Sequence, residues 1–418
     1  MPADQEPLPR LDGAEWLQCP QTQAVFKALE DGGYAARAVG GVVRNALLGH
    51  PSSDVDIATP APPEEVMRLA LAAGLKAVPT GLQHGTVTVI AEHMPFEVTT
   101  LREDVETFGR HARVAFTEDW AADARRRDFT INALYCDARG QVYDPLGGFP
   151  DVQARRVRFI GDPVERIRED YLRILRFFRL TAVYAAGPPD AAGLSAAVRE
   201  RAGLSRLSGE RIHQEMMRLL AAPRAADLIG TMRDYGLLTA VIPAAPRPEI
   251  LQRLIEIEHA LGLPPQPALR LAVLGVEVLE DAHRLRDRLR LSTAEFDVLA
   301  HAASAPRDGP RPGASERSAK VCLYRRGARI MREQLLVNWA RSGIDARDDA
   351  ATDLYRLPDR WRPPVFPLSG ADVVAAGVPP SPRVGAILRE LESRWIEAGF
   401  PDDRAQLQAD LLGLISGY

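Results

Sequence analysis

Lysine is almost missing from this chain: of 52 basic residues only Lys27, Lys76 and Lys320 are lysine, and the rest are arginine. With so much Ala, Gly and Pro alongside, the skew reads as a coding bias, so arginine abundance alone is no functional evidence. Cysteine is scarce as well. Cys19, Cys136 and Cys322 lie far apart with no CxxC pair, which excludes a disulfide framework and suits a reducing cytoplasm. Long apolar runs are absent, since Ala, Pro and Arg interrupt every stretch before it reaches the length of a membrane span. The opening "MPADQEPLPRLDGAEW" has neither the basic start nor the apolar stretch of a secretory signal. The expected location is therefore cytoplasmic, with no membrane partner and no obligate protein partner evident. A net charge of −4 speaks against a protein whose whole surface grips nucleic acid, but leaves room for a local basic groove.

What is present is enough chain for more than one hydrophobic core: 418 residues make two or more domains the expectation. Residues 34–145 alternate between strand and helix patterns. "YAARAVGG" reads as a strand entering a turn, "VVRNALLG" as a helix closed by Gly49, and "DVDIAT" as a strand with Val55 and Ile57 facing away from the aspartates. "PPEEVMRLALAAG" is a helix with Pro at its start and Gly at its end, and "GTVTVIAEHMPFEVTTLR" a hairpin of β-branched strands. After "DPLGG", 144–148, the pattern is helical. The loops at 185–193, 243–249 and 304–315 are the candidate junctions.

Four stretches carry chemistry. In "DVD", Asp54 and Asp56 project to one face of a strand, where their mutual repulsion is relieved by a divalent cation. Mg²⁺ favours one or two carboxylates plus phosphate oxygens; a bare DxD is equally at home at a solvated strand end. "GGVVRN" places adjacent glycines, Gly40 and Gly41, at a strand-to-helix turn whose amides can approach an anion closely, with Arg44 one turn on to add a charge-assisted contact. The spacing is not GxGxxG and no Walker lysine follows. "ARRRDFTINALYCD", 124–137, holds Arg126, Arg127 and Asp128 next to Phe129, Ile131, Leu134 and Tyr135, an apolar run that can be helix or strand and would anchor the arginines.

The fourth, "RIREDYLRILRFFRL" at 166–180, reads as one helix. Tyr171, Ile174, Leu175 and Phe178 form its core stripe, and the opposite arc carries Asp170, Arg173, Arg176 and Arg179. A solvated face with an i, i+3 ion pair is one reading. The other is base recognition. Asp170 can accept from an exocyclic amine while Arg173 donates to the neighbouring ring nitrogen. Cytosine and adenine offer that pair side by side, whereas uracil and guanine offer a carbonyl and a ring N–H.

In this order and spacing the motifs "GGVVRNALLG", "DVD", "TLREDVETFGRHARVAFT", "RRDFTINAL", "DPLGG", "EDYLRILR" and "ERIHQE" resemble the class II tRNA nucleotidyltransferases (CCA-adding enzymes) and the related bacterial poly(A) polymerases, over residues 34–220. "GADVVAAGVPPSPRVGAILRELE" is similar to the tail of CCA-adding enzymes. The resemblance implies an α+β fold: a nucleotidyltransferase head with a mixed sheet like that of DNA polymerase β, then an all-helical neck, body and tail forming an arc for the tRNA acceptor end. It implies a helical lead-in at 1–33, the head at 34–148, the neck at 149–220, the body at 221–303 and an RNA-binding tail at 304–418. The implied activity is template-independent addition of CCA to tRNA lacking it, from CTP and ATP, by two-metal in-line transfer with Mg²⁺ and release of pyrophosphate.

Carried over residue by residue, Gly40, Gly41 and Arg44 would bind the triphosphate, Asp54 and Asp56 the metal, and Arg127 would line the nucleotide site. Asp170 and Arg173 would read the base, with Arg176 and Arg179 in support. Glu97, on "FEVTT", is the candidate third carboxylate, and "REDVETFGRHARVAF" resembles the loop that switches such enzymes from C to A. Two departures stand out. Asn45 replaces the usual Asp after Arg44, and no His-Asp pair occurs, so no phosphohydrolase activity is expected. From Arg311 to Arg341 seven arginines and one lysine face only Glu316 and Glu333. Arg325 and Arg326 there are candidate RNA contacts, on a face that bias alone could also make basic. A poly(A) polymerase, an enzyme adding only CC or only A, and a non-catalytic RNA- or nucleotide-binding protein are the alternatives.

Overall fold

The computed structural model describes residues 7–51, 54–108 and 111–416. They form two compact units, one running to Pro243 and including Arg288–Arg290, the other comprising Ala244–Asp287 and the residues from Leu291 onward.

The first unit is built on nine strands: β1 Arg37–Val39, β2 Asp56–Thr59, β3 Lys76–Gly81, β4 Thr86–Ala91, β5 Met94–Thr100, β6 Arg102–Phe108, β7 His111–Phe116, β8 Tyr135–Asp137 and β9 Val142–Tyr143. Seven of them make a mixed sheet in the order β3-β4-β5-β2-β1-β8-β9, and β6 with β7 forms a separate ribbon. Only β2 and β5 run parallel. The α+β class expected from the sequence is the class observed. The β4–β5 hairpin closes through Glu92 and His93, both at positive φ (46° and 76°), the geometry a two-residue turn between twisted strands demands. The helices Pro20–Asp31 and Pro63–Ala72 pack against the sheet and against each other, burying Val25, Phe26 and Leu29 on one and Val66 and Ala70 on the other.

Beyond Gly148 the unit is helical. The single helix expected over 166–180 is in fact two, Pro163–Glu169 and Leu172–Tyr184. Asp170 takes extended dihedrals (φ −154°, ψ 107°) between them, and its side chain accepts from the Leu172 amide at 3.1 Å. An aspartate that can cap the following turn competes with helical continuation, which the apolar periodicity does not register. Three of the four stripe residues, Ile174, Leu175 and Phe178, are nonetheless buried at or below 1% exposure, while Tyr171 stands before the second helix and is half-buried. Phe177 joins Phe129 and Phe159 in a ring cluster with centroids 4.7–6.3 Å apart. That cluster ties the segment after Asp128 to the second helix. Gly209–Ala221 packs along the same helix.

The second unit is helical. Pro248–Leu261, Pro267–Gly275, Thr293–Asp308 and Glu316–Ser342 pack around a buried Glu258–Arg270 ion pair at 2.5 Å. Glu316–Ser342 is interrupted at Gly327 (φ 82°, ψ 169°). Gly370–Ala375, Pro382–Glu397 and Arg404–Ser416 enclose a smaller core around Leu391, Trp395, Leu407 and Leu411. No helix among the described residues is long and apolar enough to cross a membrane.

Candidate active site

The pairing of β1 with β2 sets Val39 opposite Asp56. Since Gly40 and Gly41 follow Val39 and Asp54 precedes β2, this one register brings the glycine turn alongside the two aspartates. Gly40 caps the helix Gly41–Leu48 at φ 76°, ψ −123°, a conformation that side-chain-bearing residues avoid. Asp54 and Asp56 are exposed, while Val55 and Ile57 are buried, as the strand alternation requires. Asp56 also stands in register with Glu97 across the parallel β2–β5 pair. Although Asp56 as a residue keeps solvent exposure, partial desolvation of its carboxyl by the protein around it, then the charges of Glu97 and Asp54, push that carboxyl up to about 6, against the opposite pull of Arg127. Among the described residues no three His, Cys, Asp or Glu side chains gather tightly enough to ligate a metal alone. Two repelling carboxylates beside an anion-binding turn do suit a cation that completes its shell with phosphate oxygens.

Arg44 is 6% exposed and fully engaged. It donates to the Asn45 Oδ1 through Nε (3.2 Å) and Nη2 (2.9 Å), to Tyr184 Oη at 2.7 Å and to Asn132 Oδ1. Its guanidinium carbon lies 4.0 Å from the centre of the Tyr184 ring. Asn45 is thus not a gap where a carboxylate should be. Its Oδ1 also accepts from Tyr184 Oη at 3.0 Å, and its Nδ2 donates to the Pro51 carbonyl at 2.9 Å, three residues before Asp54. A carboxylate could make the first set of bonds but not the last.

Arg127 reaches the glycine turn, where its Nη1 is 3.8 Å from the place a Gly40 Cβ would occupy. Asp123, 1% exposed, holds it at 3.0 Å and holds Arg126 at 2.7 Å, while accepting from Tyr135 Oη at 2.8 Å. Burial would raise the Asp123 carboxyl, but Arg127 and Arg126 outweigh it and the group lies below its ordinary value. Asp128 does the same for the helix Leu172–Tyr184. It accepts from Arg176 Nε at 2.8 Å, Asn132 Nδ2 at 3.0 Å and the Phe129 amide at 2.9 Å. Burial works against its charge, yet Arg176 and these hydrogen bonds hold it at about 2. Arg179 is held by Glu215 at 2.6 Å. Arg44, Asn132, Asp128 and Arg176 therefore form one continuous polar chain from the glycine turn to the helix Leu172–Tyr184.

Asp170 and Arg173 do not pair with each other. Arg173 Nη1 donates to the Arg166 carbonyl at 2.8 Å and to Glu169, whereas Asp170 is gripped by Arg211. Both Asp170 and Arg211 line a cavity of about 470 Å³ with Glu169, Tyr171, Arg206 and Ser208. The Tyr171 ring packs on Gly203, where a Cβ would collide with it. In the second unit, Arg326 is tied to Asp308 at 2.7 Å, and Arg325 lines a separate cavity with Arg307 and Arg317. Of the loop at 102–116, β6 and β7 are observed and pair antiparallel; residues 109 and 110 lie outside the described residues.

No motif in the sequence assigns a role to Asp123, Asp128, Asn132, Tyr184, Arg211 or Glu215. Arg211 and Glu215 sit in the quoted "ERIHQE" and Asp128 in "RRD", so their charge was a usable signal. Asp123 and Tyr184 stand in unremarkable helices and only packing reveals them.

The family described as poly A polymerase head domain matches residues 36–158, and that of the probable RNA and SrmB-binding site of polymerase A matches 194–247. Mitochondrial CCA tRNA nucleotidyltransferase 1 of Mus musculus is 33% identical over 94% of this chain and 91% of its own length. The CCA-adding enzyme of Geobacillus thermodenitrificans is 37% identical over 63% of this chain and 68% of its own. The crystal structure of Bacillus stearothermophilus CCA-adding enzyme in complex with CTP superposes with a TM-score of 0.73 and 27% identity, covering 95% of this chain and 97% of that one. The Thermotoga maritima CCA-adding enzyme complexed with tRNA, at 19% identity and a TM-score of 0.65 over 94% of each chain, shares the fold. With a relative matched over more than nine tenths of both lengths, this chain belongs to the CCA tRNA nucleotidyltransferase family, built on a poly A polymerase head domain.

Proposed function

We propose that this chain is a CCA-adding enzyme, completing the 3′ end of tRNA from CTP and ATP with release of pyrophosphate. The observation that carries the reading is the β1–β2 register, which sets an anion-binding glycine turn against a repelling carboxylate pair in a chain of this family. In the proposed arrangement the amides of the Gly40–Gly41 turn, with Arg44 and Arg127, hold the triphosphate. Asp54 and Asp56 would hold a divalent cation, for which Mg²⁺ is our assignment, and it would supply charge neutralisation at the phosphates and a more acidic 3′-hydroxyl. Glu97 shapes this site through its charge beside Asp56. The catalytic contribution of the protein is positioning: the terminal ribose oxygen is set in line with the α-phosphorus, and no covalent enzyme intermediate is needed.

Base choice is assigned to Asp170 and Arg173, the acceptor and donor that cytosine and adenine satisfy together, with Arg176 and Arg179 supporting base or phosphate. We assign the head to 34–148, the neck to 149–220, the body to 221–303 and the tail to 304–418, with RNA contacts at Arg325 and Arg326. A cytoplasmic location is our reading, supported by three free thiols.

The test is incubation of a tRNA lacking its terminal CCA with labelled CTP and ATP, singly and together. Ordered addition that stops after CCA is expected. Runs of A on unrelated RNA would instead mark a poly(A) polymerase, arrest after CC or addition of A alone a partial enzyme, and no incorporation by folded protein a binder.

A further inference from the structure

Arg341, in the last turn of Glu316–Ser342, belongs to the second unit and has no part in the reaction proposed above. Its Nη2 donates to the Val276 carbonyl at 2.5 Å. Its Nε and Nη1 are shut off from solvent and meet no acceptor. Arg247 donates to the same carbonyl at 2.9 Å, and its Nε too is enclosed without an acceptor. Two guanidinium ions thus converge on one neutral oxygen. Arg247 has Glu277 as a counter-charge; no carboxylate pairs with Arg341 among the described residues. Burial, and for Arg247 also the charge of Arg341, pull both groups below their ordinary pKa, as desolvation of a cation does.

The neighbourhood of Arg341 is open to a ligand. With Arg311, Asn338 and Ser342 it lines a cavity of about 310 Å³, walled by Pro306 and Pro312 and free of acidic side chains. Asn338 Nδ2 is committed to the Ala305 and Pro310 carbonyls, at 2.8 and 2.9 Å, so the wall carrying it is rigid. A buried charge left without a partner is expensive, and enclosed donors without acceptors in a native fold call for an ion or a water to meet them. Water can satisfy the donors but not the charge of Arg341, which no carboxylate offsets among the described residues. The planar guanidinium fork matches phosphate oxygens.

We propose that Arg341, backed by Arg247 and flanked by Arg311, forms an oxyanion site that takes a phosphate group. That group is either a phosphodiester of RNA lying on this unit or a free phosphate ion. The site does not depend on the activity proposed above and is tested without it.

The thermal midpoint of the full chain is measured in millimolar phosphate and in chloride of equal ionic strength, for the wild type, Arg341→Met and Arg341→Lys. Any phosphate taken up at the glycine turn of the first unit is common to all three, so the site is read from the difference. The wild-type midpoint should climb with phosphate. Arg341→Met should lose most of that additional climb without falling below wild type in chloride. Arg341→Lys, which keeps the charge but not the fork, should respond several-fold more weakly and reports on the site even if the Met variant fails to fold. Binding of a tRNA transcript lacking CCA, followed across salt concentration, separates the sources. A slope smaller by about one in Arg341→Met identifies a phosphodiester, and an unchanged slope with a lost phosphate response identifies free phosphate. If both phosphate response and salt slope match wild type, the site is overturned.

Discussion

Arg211 holds both oxygens of Asp170, at 2.7 and 3.1 Å, across the turn that separates Pro163–Glu169 from Leu172–Tyr184. A bidentate grip fixes the plane of the carboxylate as well as its position; Oδ1 also accepts from the Leu172 amide, so Oδ2 is the oxygen that keeps a lone pair for another donor. The acceptor we propose for base reading is therefore aimed by a residue 41 positions away in sequence.

Loss of that aim should appear as loss of choice. Arg211→Met is expected to reduce the preference for C and A over U and G by about tenfold, the worth of one charge-assisted hydrogen bond. Arg173→Ala should likewise blur nucleotide choice more than it weakens triphosphate binding. Competition between labelled nucleoside triphosphates measures both, and unchanged discrimination in the two variants would remove Asp170 and Arg173 from base selection.

Asp56 makes a prediction about pH. Its carboxyl is pushed from 3.8 up to about 6 in the fold, so the folded state prefers the protonated form. The ionised group therefore costs stability above pH 6, and that cost fades as pH falls from 6 towards 4. Asp56→Asn should raise the unfolding midpoint at pH 7.5 in metal-free buffer, with the gain vanishing near pH 4, while abolishing nucleotidyl transfer. Added Mg²⁺ should stabilise the wild type and leave the variant unmoved. A variant midpoint equal to wild type at pH 7.5 would show that the carboxylates do not strain one another.

Asp128 has the opposite sign. Held at about 2 against an ordinary 3.8, it contributes stability that is complete above its ordinary value and lost as pH drops towards 2. Arg176→Ala removes its main partner and should cost about 2 kcal/mol at pH 7. On acidification the wild type should lose stability faster than the variant, until their urea midpoints converge. Parallel acid limbs would contradict the pairing.

Asn45 has two duties, and two substitutions divide them. Asn45→Leu frees Arg44 and should raise KM for CTP and ATP about tenfold. Asn45→Asp keeps Arg44 but faces a carboxylate oxygen towards the Pro51 carbonyl. It should leave KM nearly unchanged and cost about 1 kcal/mol of stability. Equal KM values for Asn45→Leu and wild type would deny Arg44 its place at the triphosphate.

The strands and short helices of residues 34–145 were readable because half-buried strands alternate and helix ends are punctuated by Gly and Pro. Asp54, Asp56 and the glycine turn could be named because strand pairing makes neighbours of residues that the sequence already keeps close. What could not be read was set by side-chain chemistry at long range. The break at Asp170 depends on one aspartate capping a turn. The true partner of Asp170 depends on how Gly209–Ala221 packs along Leu172–Tyr184, and those of Arg173 lie back across the break, at Glu169 and the Arg166 carbonyl. A helical wheel ranks residues by face, and cannot say that Asp170 answers to Arg211 and Arg173 to Glu169.

The ring of Tyr171 rests where a side chain at position 203 would have to be. Tyr171 follows Asp170 directly, so the space left by one missing methyl group at Gly203 sets how far the turn can close. With Asp170 in its proposed base-reading role, discrimination among nucleotides has a steric tolerance set at Gly203. A substitution as mild as Gly203→Ala, in a residue that touches no substrate, would act as a fidelity mutation rather than a folding one if the turn swings instead of breaking.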